Sequence, residues 1–481
     1  MSMETKMARR MWFLLLILVA MPAAAQVDAR MFRQPAVSAD KIAFVYAGDI
    51  WLVPKGGGAA TRLSSPPGEE SFPRFSPDGT RLAYSADYDG NTDVYVVPAA
   101  GGDPKRLTYH PGLDRVRGWS PDGKRIVFAS DRTSAPQVSY LRLWSVPAEG
   151  GFEEPLPMPR AFTGTYSPDG RRIAYEEIST AFTPEWYETS MWRHYRGGRT
   201  HPIRLISLTD FSVEKLPWQN SNDHDPMWIG NTVYFLSDRN FTTNLYSYAL
   251  DTKQLKQLTH HDDFDVMTAS AGPDAIVYEQ AGYIHLVDAK TGQTHQLNID
   301  VVGDFPWARA QFKRAGNMVR DAVLSPTGVR AAFEVRGDIV TVPTDKGDFR
   351  DLTNSPGAHD RSPGWSPDGT QLAWLSDASG EYQLMIGDQS GLAKPRVIAL
   401  PTAAFYSGLE WSPNGKLIAL EDNHLNLLTV DVASGRATKI DIDAYATPGR
   451  DFDATWSSDS RWIAYSKSLD SHLRAIFLYS P

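Results

Sequence analysis

Apolar and polar residues alternate along most of this chain in short runs bounded by Gly, Pro, Asp and Ser. Arg81-Leu-Ala-Tyr-Ser85, Arg125-Ile-Val-Phe-Ala129, Arg172-Ile-Ala-Tyr-Glu176 and Gln371-Leu-Ala-Trp-Leu375 are examples. A period of two predicts β-strands, and helical periodicity is missing throughout. Each of these runs follows the peptide Ser-Pro-Asp-Gly, which starts at Ser76, Ser120, Ser167 and Ser366. Variants start at Ser38, Ser325, Ser412 and Ser457. Pro presets φ, Asp bonds back to the main chain and Gly supplies the left-handed conformation, so each copy reads as a hairpin turn. A third strand follows, such as Asp49-Ile-Trp-Leu-Val53 or Asp93-Val-Tyr-Val-Val97, then a Gly-rich turn and a short fourth strand ending in Leu-Thr or Leu-Ser.

Neighbouring clear copies lie 38 to 47 residues apart, the length of a four-stranded unit with short turns. Two degenerate units, 225–258 and 266–298, complete a first set of six. Four more begin near Met318, and the last stops inside its third strand. Ten units exceed one ring of four to eight blades. The expected fold is therefore all-β: a six-bladed β-propeller over 27–300, a linker over 301–317, and over 318–481 the first blades of a second, seven-bladed propeller that is incomplete. No strand is left over to close the first ring, so closure is expected to rest on packing between its first and last blades.

The first 25 residues break the pattern. Lys6, Arg9 and Arg10 precede the apolar run 11–21, and Ala23-Ala24-Ala25 follows. This predicts a cleaved signal peptide and an exported, periplasmic or secreted protein. The run is too short to cross a hydrocarbon core of ~30 Å, so no membrane span is expected after cleavage. The net charge of −9 becomes −11 once three bases and the acid Glu4 are removed. That balance, without a basic stripe, argues against a nucleic-acid partner. Cysteine is absent, which excludes disulfides, thiol catalysis and thiolate metal sites.

The sequence offers no catalytic arrangement: no G-x-S-x-G elbow, no H-E-x-x-H helix and no phosphate loop. Asn222-Asp-His-Asp225 and His260-His-Asp-Asp-Phe-Asp265 have metal-like composition, but they fall where one blade hands over to the next, and polar loop residues are the ordinary reading there. No metal and no cofactor is expected. Ser-Asp-Arg recurs at 130–132 and 237–239 and reads as a structural cap. Trp119, Trp365, Trp411 and Trp456 each precede a turn serine and read as packing between blades.

One segment points to a family. Met191-Trp-Arg-His-Tyr-Arg-Gly-Gly198 lies in an insertion, 179–201, between the second and third strands of the fourth unit. Its Trp192, Tyr195, Arg196, Gly197 and Gly198 resemble a segment of tricorn-type serine peptidases, and tandem propellers resemble the N-terminal half of that family. The resemblance implies a non-catalytic region that gates peptide admission and product release, working with a PDZ-like module and a serine peptidase core encoded elsewhere. It implies peptides or unfolded segments as partners, leaves room for a homo-oligomer, and places no catalytic residue in this chain. It also implies a pair of arginines that anchors a substrate's terminal carboxylate. The matching stretch just before the first strand of the third blade is Asp114-Arg-Val-Arg-Gly118, with Arg115 and Arg117 separated by Val116. Alternation in an extended strand would point both guanidiniums to one side. The competing reading of that pair is two solvated arginines on a loop, and of the whole chain a stand-alone periplasmic propeller that binds proteins, like the one in the Tol system.

Overall fold

The computed structural model describes residues 29–64, 66–134, 140–178, 196–303, 312–444, 451–471 and 473–481. The predicted signal peptide, Trp192 and Tyr195 lie outside them. Every described element is a strand. The chain divides into two compact units, one ending at Asp304 and the other starting at Phe305.

The repeated turn has one geometry. Ser76 Oγ donates to Asp78 Oδ1 at 2.5 Å and accepts the Arg81 N–H at 3.0 Å, while Gly79 N–H reaches Ser76 O at 2.8 Å. Gly79 sits at φ 72°, a region open to glycine at little cost. Ser120, Ser167 and Ser366 repeat the pattern with Asp122, Asp169 and Asp368. The turn delivers each chain into the second strand of an antiparallel sheet such as Glu70–Phe75, Arg81–Ala86, Asp93–Pro98, Lys105–Arg106.

The first unit holds six such sheets among the described residues. Their first strands are Arg33–Val37, Glu70–Phe75, Asp114–Trp119, Thr163–Tyr166, Asp223–Ile229 and Val266–Ala271. Each touches the next in that order, and the last touches the first. Six sheet edges meeting in a cycle surround an axis, so the first strands line a central channel. Between sheets the apolar faces interlock: Ala83, Val94 and Val96 of the second meet Val116, Ile126 and Phe128 of the third. At about 25 cal/mol per Å² of apolar surface, this burial is the main stabilising term.

Ring closure differs from the sequence expectation. Ile299–Val301, which follows the sixth sheet, joins the outer edge of the first and runs parallel to Gly58–Arg62, with Asp300 opposite Ala59. Gly58 N–H donates to Asn298 O at 2.8 Å. A three-residue clasp thus closes the ring together with the packing of the first strand on the sixth sheet. Val301 belongs to this strand and not to a linker.

Among its described residues the second unit has three four-stranded sheets and a three-stranded one, Thr455–Trp456, Ile463–Ser468, Arg474–Tyr479. Val319 and Leu324 in its first sheet, and Ile476 and Leu478 in its last, are exposed. In this unit the tryptophans before the turn serines act as staples. Trp365 Nε1 donates to Val323 O (3.3 Å), Trp411 Nε1 to Gly364 O (3.0 Å) and Trp456 Nε1 to Glu410 O (3.3 Å), each two residues before the turn serine of the preceding sheet. Trp119 does the same in the first unit, reaching Arg74 O at 2.9 Å.

Candidate functional site in the channel of the first unit

The inner strands are interrupted at one level. Registers shift around Gln34-Pro35, Phe72-Pro73, Val116-Arg117 and Asp225-Pro226. Gln34, Phe72 and Asp225 are left-handed there, at φ 50°, 53° and 49°. A bulge frees a main-chain N–H and re-aims a side chain, so each needs a new acceptor. Gln34 N–H finds Glu279 Oε2 on the sixth blade (3.0 Å), and Phe72 N–H finds the Gln34 side chain (2.7 Å). Val116 N–H finds Ser85 Oγ on the second blade (2.8 Å). Glu279 also takes Arg33 at 2.7 Å and Thr268 Oγ1 at 3.0 Å. The result is a belt of bonds that runs from the sixth blade through the first and second to the third.

Arg115 and Arg117 stand on this belt. The structure places both inside the first strand of the third blade, Asp114–Trp119, and not before it. Arg117 is the bulge residue, which breaks the simple alternation expected of the pair. Even so, both guanidiniums come over one ring, with Arg115 5.9 Å and Arg117 5.1 Å from the Phe72 centroid. Arg117 also lies 4.8 Å from Phe162 of the fourth blade, and it is buried. Neither is a solvated loop residue. Aromatic faces orient a guanidinium by its flat side.

Asp225 occupies the equivalent bulge on the fifth blade. Its side chain is 21% exposed. Burial would raise its pKa, but the His224 hydrogen bond and the charges of His224, Arg117 and Arg74 outweigh burial and hold the carboxyl below its ordinary value. His224 Nδ1 lies 3.6 Å from Asp225 Oδ2. Phe72, Arg74 and Phe162 were not singled out from the sequence, and Asp225 was noted only as part of the metal-like run Asn222–Asp225. A signal was there: Gln34-Pro35, Phe72-Pro73 and Ser362-Pro363 each begin four residues before a turn serine, and the third blade has Arg117 where these have proline.

The described end of the family segment is docked on the fifth blade. Arg196 Nη1 meets Asp238 Oδ2 at 2.7 Å and Arg196 Nη2 meets Asp238 O at 3.0 Å. Gly197 O accepts Thr200 Oγ1 (2.9 Å), and Gly198 lies in open space. Asp238 belongs to the repeated Ser-Asp-Arg, whose arginines do equivalent work in two blades. Arg132 bonds Ser130 Oγ (3.0 Å) and Asp114 (2.6 Å), and Arg239 bonds Ser237 Oγ (2.9 Å) and Asp223 (2.9 Å). This is the structural cap expected of the triplet. Of the metal-like clusters, Asp223 serves that cap, and His261 Nε2 pairs with Tyr278 Oη at 3.0 Å. Among the described residues no group of three or more His, Asp or Glu is placed to hold a metal.

Comparison with known proteins agrees with the fold. Residues 29–293 match the model of the tricorn protease N-terminal beta propeller domain. The chain is 30% identical over 459 residues to tricorn protease homolog 1 of Streptomyces coelicolor, covering 93% of this chain and 41% of that one. It is 26% identical over 437 residues to the tricorn protease homolog of Saccharolobus solfataricus, covering 90% and 39%. The crystal structure of the tricorn protease superposes with a TM-score of 0.53 at 22% identity, over 94% of this chain and 43% of that one. The chain thus spans about two fifths of the length of these relatives. The matched residues contain the whole bulge belt, and the chain belongs to the family of the tricorn protease N-terminal β-propeller domain.

Proposed function

We propose that this chain is the non-catalytic propeller region of a tricorn-like serine peptidase that degrades oligopeptides, and that its first channel gates peptide passage. In this reading Arg115 and Arg117 anchor the terminal carboxylate of a peptide. The observation that carries it is the convergence of both guanidiniums on Phe72 within the channel. Guanidinium forks match a carboxylate in two-point geometry, and a partly enclosed site strengthens the pair. A PDZ-like module and a serine peptidase core would supply the chemistry, and the segment 1–25 would direct export to the periplasm or beyond.

The test is hydrolysis of an oligopeptide by the protein combined with a tricorn-type serine peptidase core. The free-acid peptide should be cleaved with a lower KM than its C-terminal amide. Replacing Arg115 and Arg117 by Ala should remove that difference and leave kcat on the amide unchanged. Equal handling of acid and amide by the native protein would overturn the anchoring role. A stand-alone protein-binding propeller would show neither hydrolysis nor a preference for the acid.

A further inference from the structure

In the second unit one bulge repeats a corner of the first unit with a single difference. Arg361-Ser362-Pro363 has the order of Arg33-Gln34-Pro35, and Ser362 and Gln34 are both left-handed, at φ 53° and 50°. In each corner a glutamate on the second strand of the preceding sheet accepts the freed N–H, Glu279 that of Gln34 and Glu334 that of Ser362, both at 3.0 Å. Arg33 completes its corner by pairing with Glu279 at 2.7 Å. Arg361 makes no such pair with Glu334. Its guanidinium lies 3.8 Å from the Phe405 ring centroid and 5.7 Å from that of Tyr382, and its Nη1 is buried with no hydrogen-bond partner.

The acids around Arg361 are engaged elsewhere. Glu334 takes Ser362 N–H and lies 4.0 Å from His359 Nε2, Asp377 Oδ1 takes His359 N–H at 2.6 Å, and Asp360 takes the Ser355 hydroxyl. Tyr382 Oη is occupied by His359 Nδ1 at 3.0 Å. Buried polar groups are nearly always bonded, and a charged donor gains most from an acceptor brought to it.

Phe405 is the way in. It is 49% exposed, and its main chain is pinned, with N–H donating to Asn423 Oδ1 at 3.0 Å and O accepting Asn423 N–H at 2.9 Å. Only the ring has to turn for Nη1 to be reached. A guanidinium fork matches a carboxylate in two-point geometry. The charges of Glu334, Asp360 and Asp377 oppose a doubly charged anion more than a singly charged one, which favours carboxylate over phosphate.

We propose that Arg361 is the centre of a carboxylate-binding site in the second unit, covered by Phe405, and that a peptide supplies the carboxylate. The site depends on the function proposed above only for its peptide and is independent of Arg115 and Arg117.

Fluorine NMR of the full chain with para-fluorophenylalanine in place of Phe405 reads the site directly. N-acetylated Ala-Phe as free acid should shift the fluorine signal saturably, with a Kd of about 1 mM or tighter, and its amide should not. Arg361→Gln should weaken that binding at least about tenfold, while Arg115→Ala combined with Arg117→Ala should leave it unchanged. N-acetylated Glu-Phe amide identifies the source: a shift admits a side-chain carboxylate, and no shift assigns the site to the terminal one. No shift with either carboxylate up to about 50 mM, or equal shifts with acid and amide, overturns the site and leaves water as the partner of Nη1. Tighter binding of inorganic phosphate overturns the choice of carboxylate. Loss of the shift in the Arg115 and Arg117 variant places the response in the first unit and overturns the role of Arg361. The native titration needs no variant, so a misfolded Arg361→Gln protein leaves the proposal open to refutation. Equal hydrolysis of acid and amide in the assay above does not alter this binding, so the two readings fail separately.

Discussion

Glu279 on the sixth blade accepts the main-chain N–H of Gln34 on the first at 3.0 Å, and the same carboxylate pairs with Arg33 at 2.7 Å. One buried acid therefore satisfies the group freed by the bulge and joins the two ends of the ring. Second-strand glutamates repeat this in the second unit, where Glu334 accepts Ser362 N–H at 3.0 Å and Glu421 accepts Phe452 N–H at 3.1 Å.

Glu279→Ala is expected to destabilise the first unit by about 3 kcal/mol, because it strands a buried N–H and a partly buried arginine. Glu279→Gln should cost less, since the amide oxygen can still accept. Thermal unfolding measures both, and a loss below about 0.5 kcal/mol for the alanine variant would show that the junction is held by packing alone.

The clasp has its own probe. Gly57 sits at φ 89°, and a Cβ there would come 2.5 Å from Asn298 O. Gly57→Ala should displace the clasp and cost about 2 kcal/mol through strain and clash. Gly56→Ala, with nothing within 4 Å, serves as the control. Protease cleavage between residues 296 and 304 should accelerate only in the Gly57 variant; equal rates would mean that the clasp bears no part of closure.

Stability of the second unit should depend on pH through Glu421. Burial pushes its carboxyl up to about 7 from 4.5, with Asp451 and Asp453 adding to the rise. The folded state then holds a proton that the unfolded chain has released between those values. Stability is greatest below about pH 4.5, falls as pH rises, and levels off above about 7, a loss of up to about 3 kcal/mol. Unfolding midpoints from pH 4.5 to 8 check this, and Glu421→Gln should flatten the curve. A midpoint that rises over this range in both proteins would refute the assignment.

Mature protein recovered from an exporting host should begin near Gln26, as the Ala23–Ala25 pattern predicts. N-terminal sequencing decides it, and an intact Met1 on cytosolic protein would count against export.

The turns, strands and sheet order were legible in the sequence because each is local: Ser, Pro, Asp and Gly at fixed offsets set a hairpin whatever surrounds it. The same holds for the tryptophans, whose position before the turn serine marks an inter-sheet contact. The clasp was not legible. Ile299–Val301 is three residues long, pairs in parallel with a strand some 240 positions earlier, and carries no turn signal of its own. The site was half legible. Arg115 and Arg117 were named through the family resemblance and Asp225 only within a metal-like run, while Phe72 becomes recognisable only once the X-Pro pairs are aligned from unit to unit. Proline in a strand ordinarily argues against the strand, and here it marks the bulge that turns a side chain into the channel.

The tryptophan staples have a direction. Each indole reaches back to the sheet made before it, from Trp119 to Arg74 and from Trp456 to Glu410, and none of these four reaches forward. On a chain made from its N-terminus, a sheet is therefore latched by the sheet made next. The order of synthesis is then also the order in which these neighbouring sheets are locked, each later hairpin fixing the one before it.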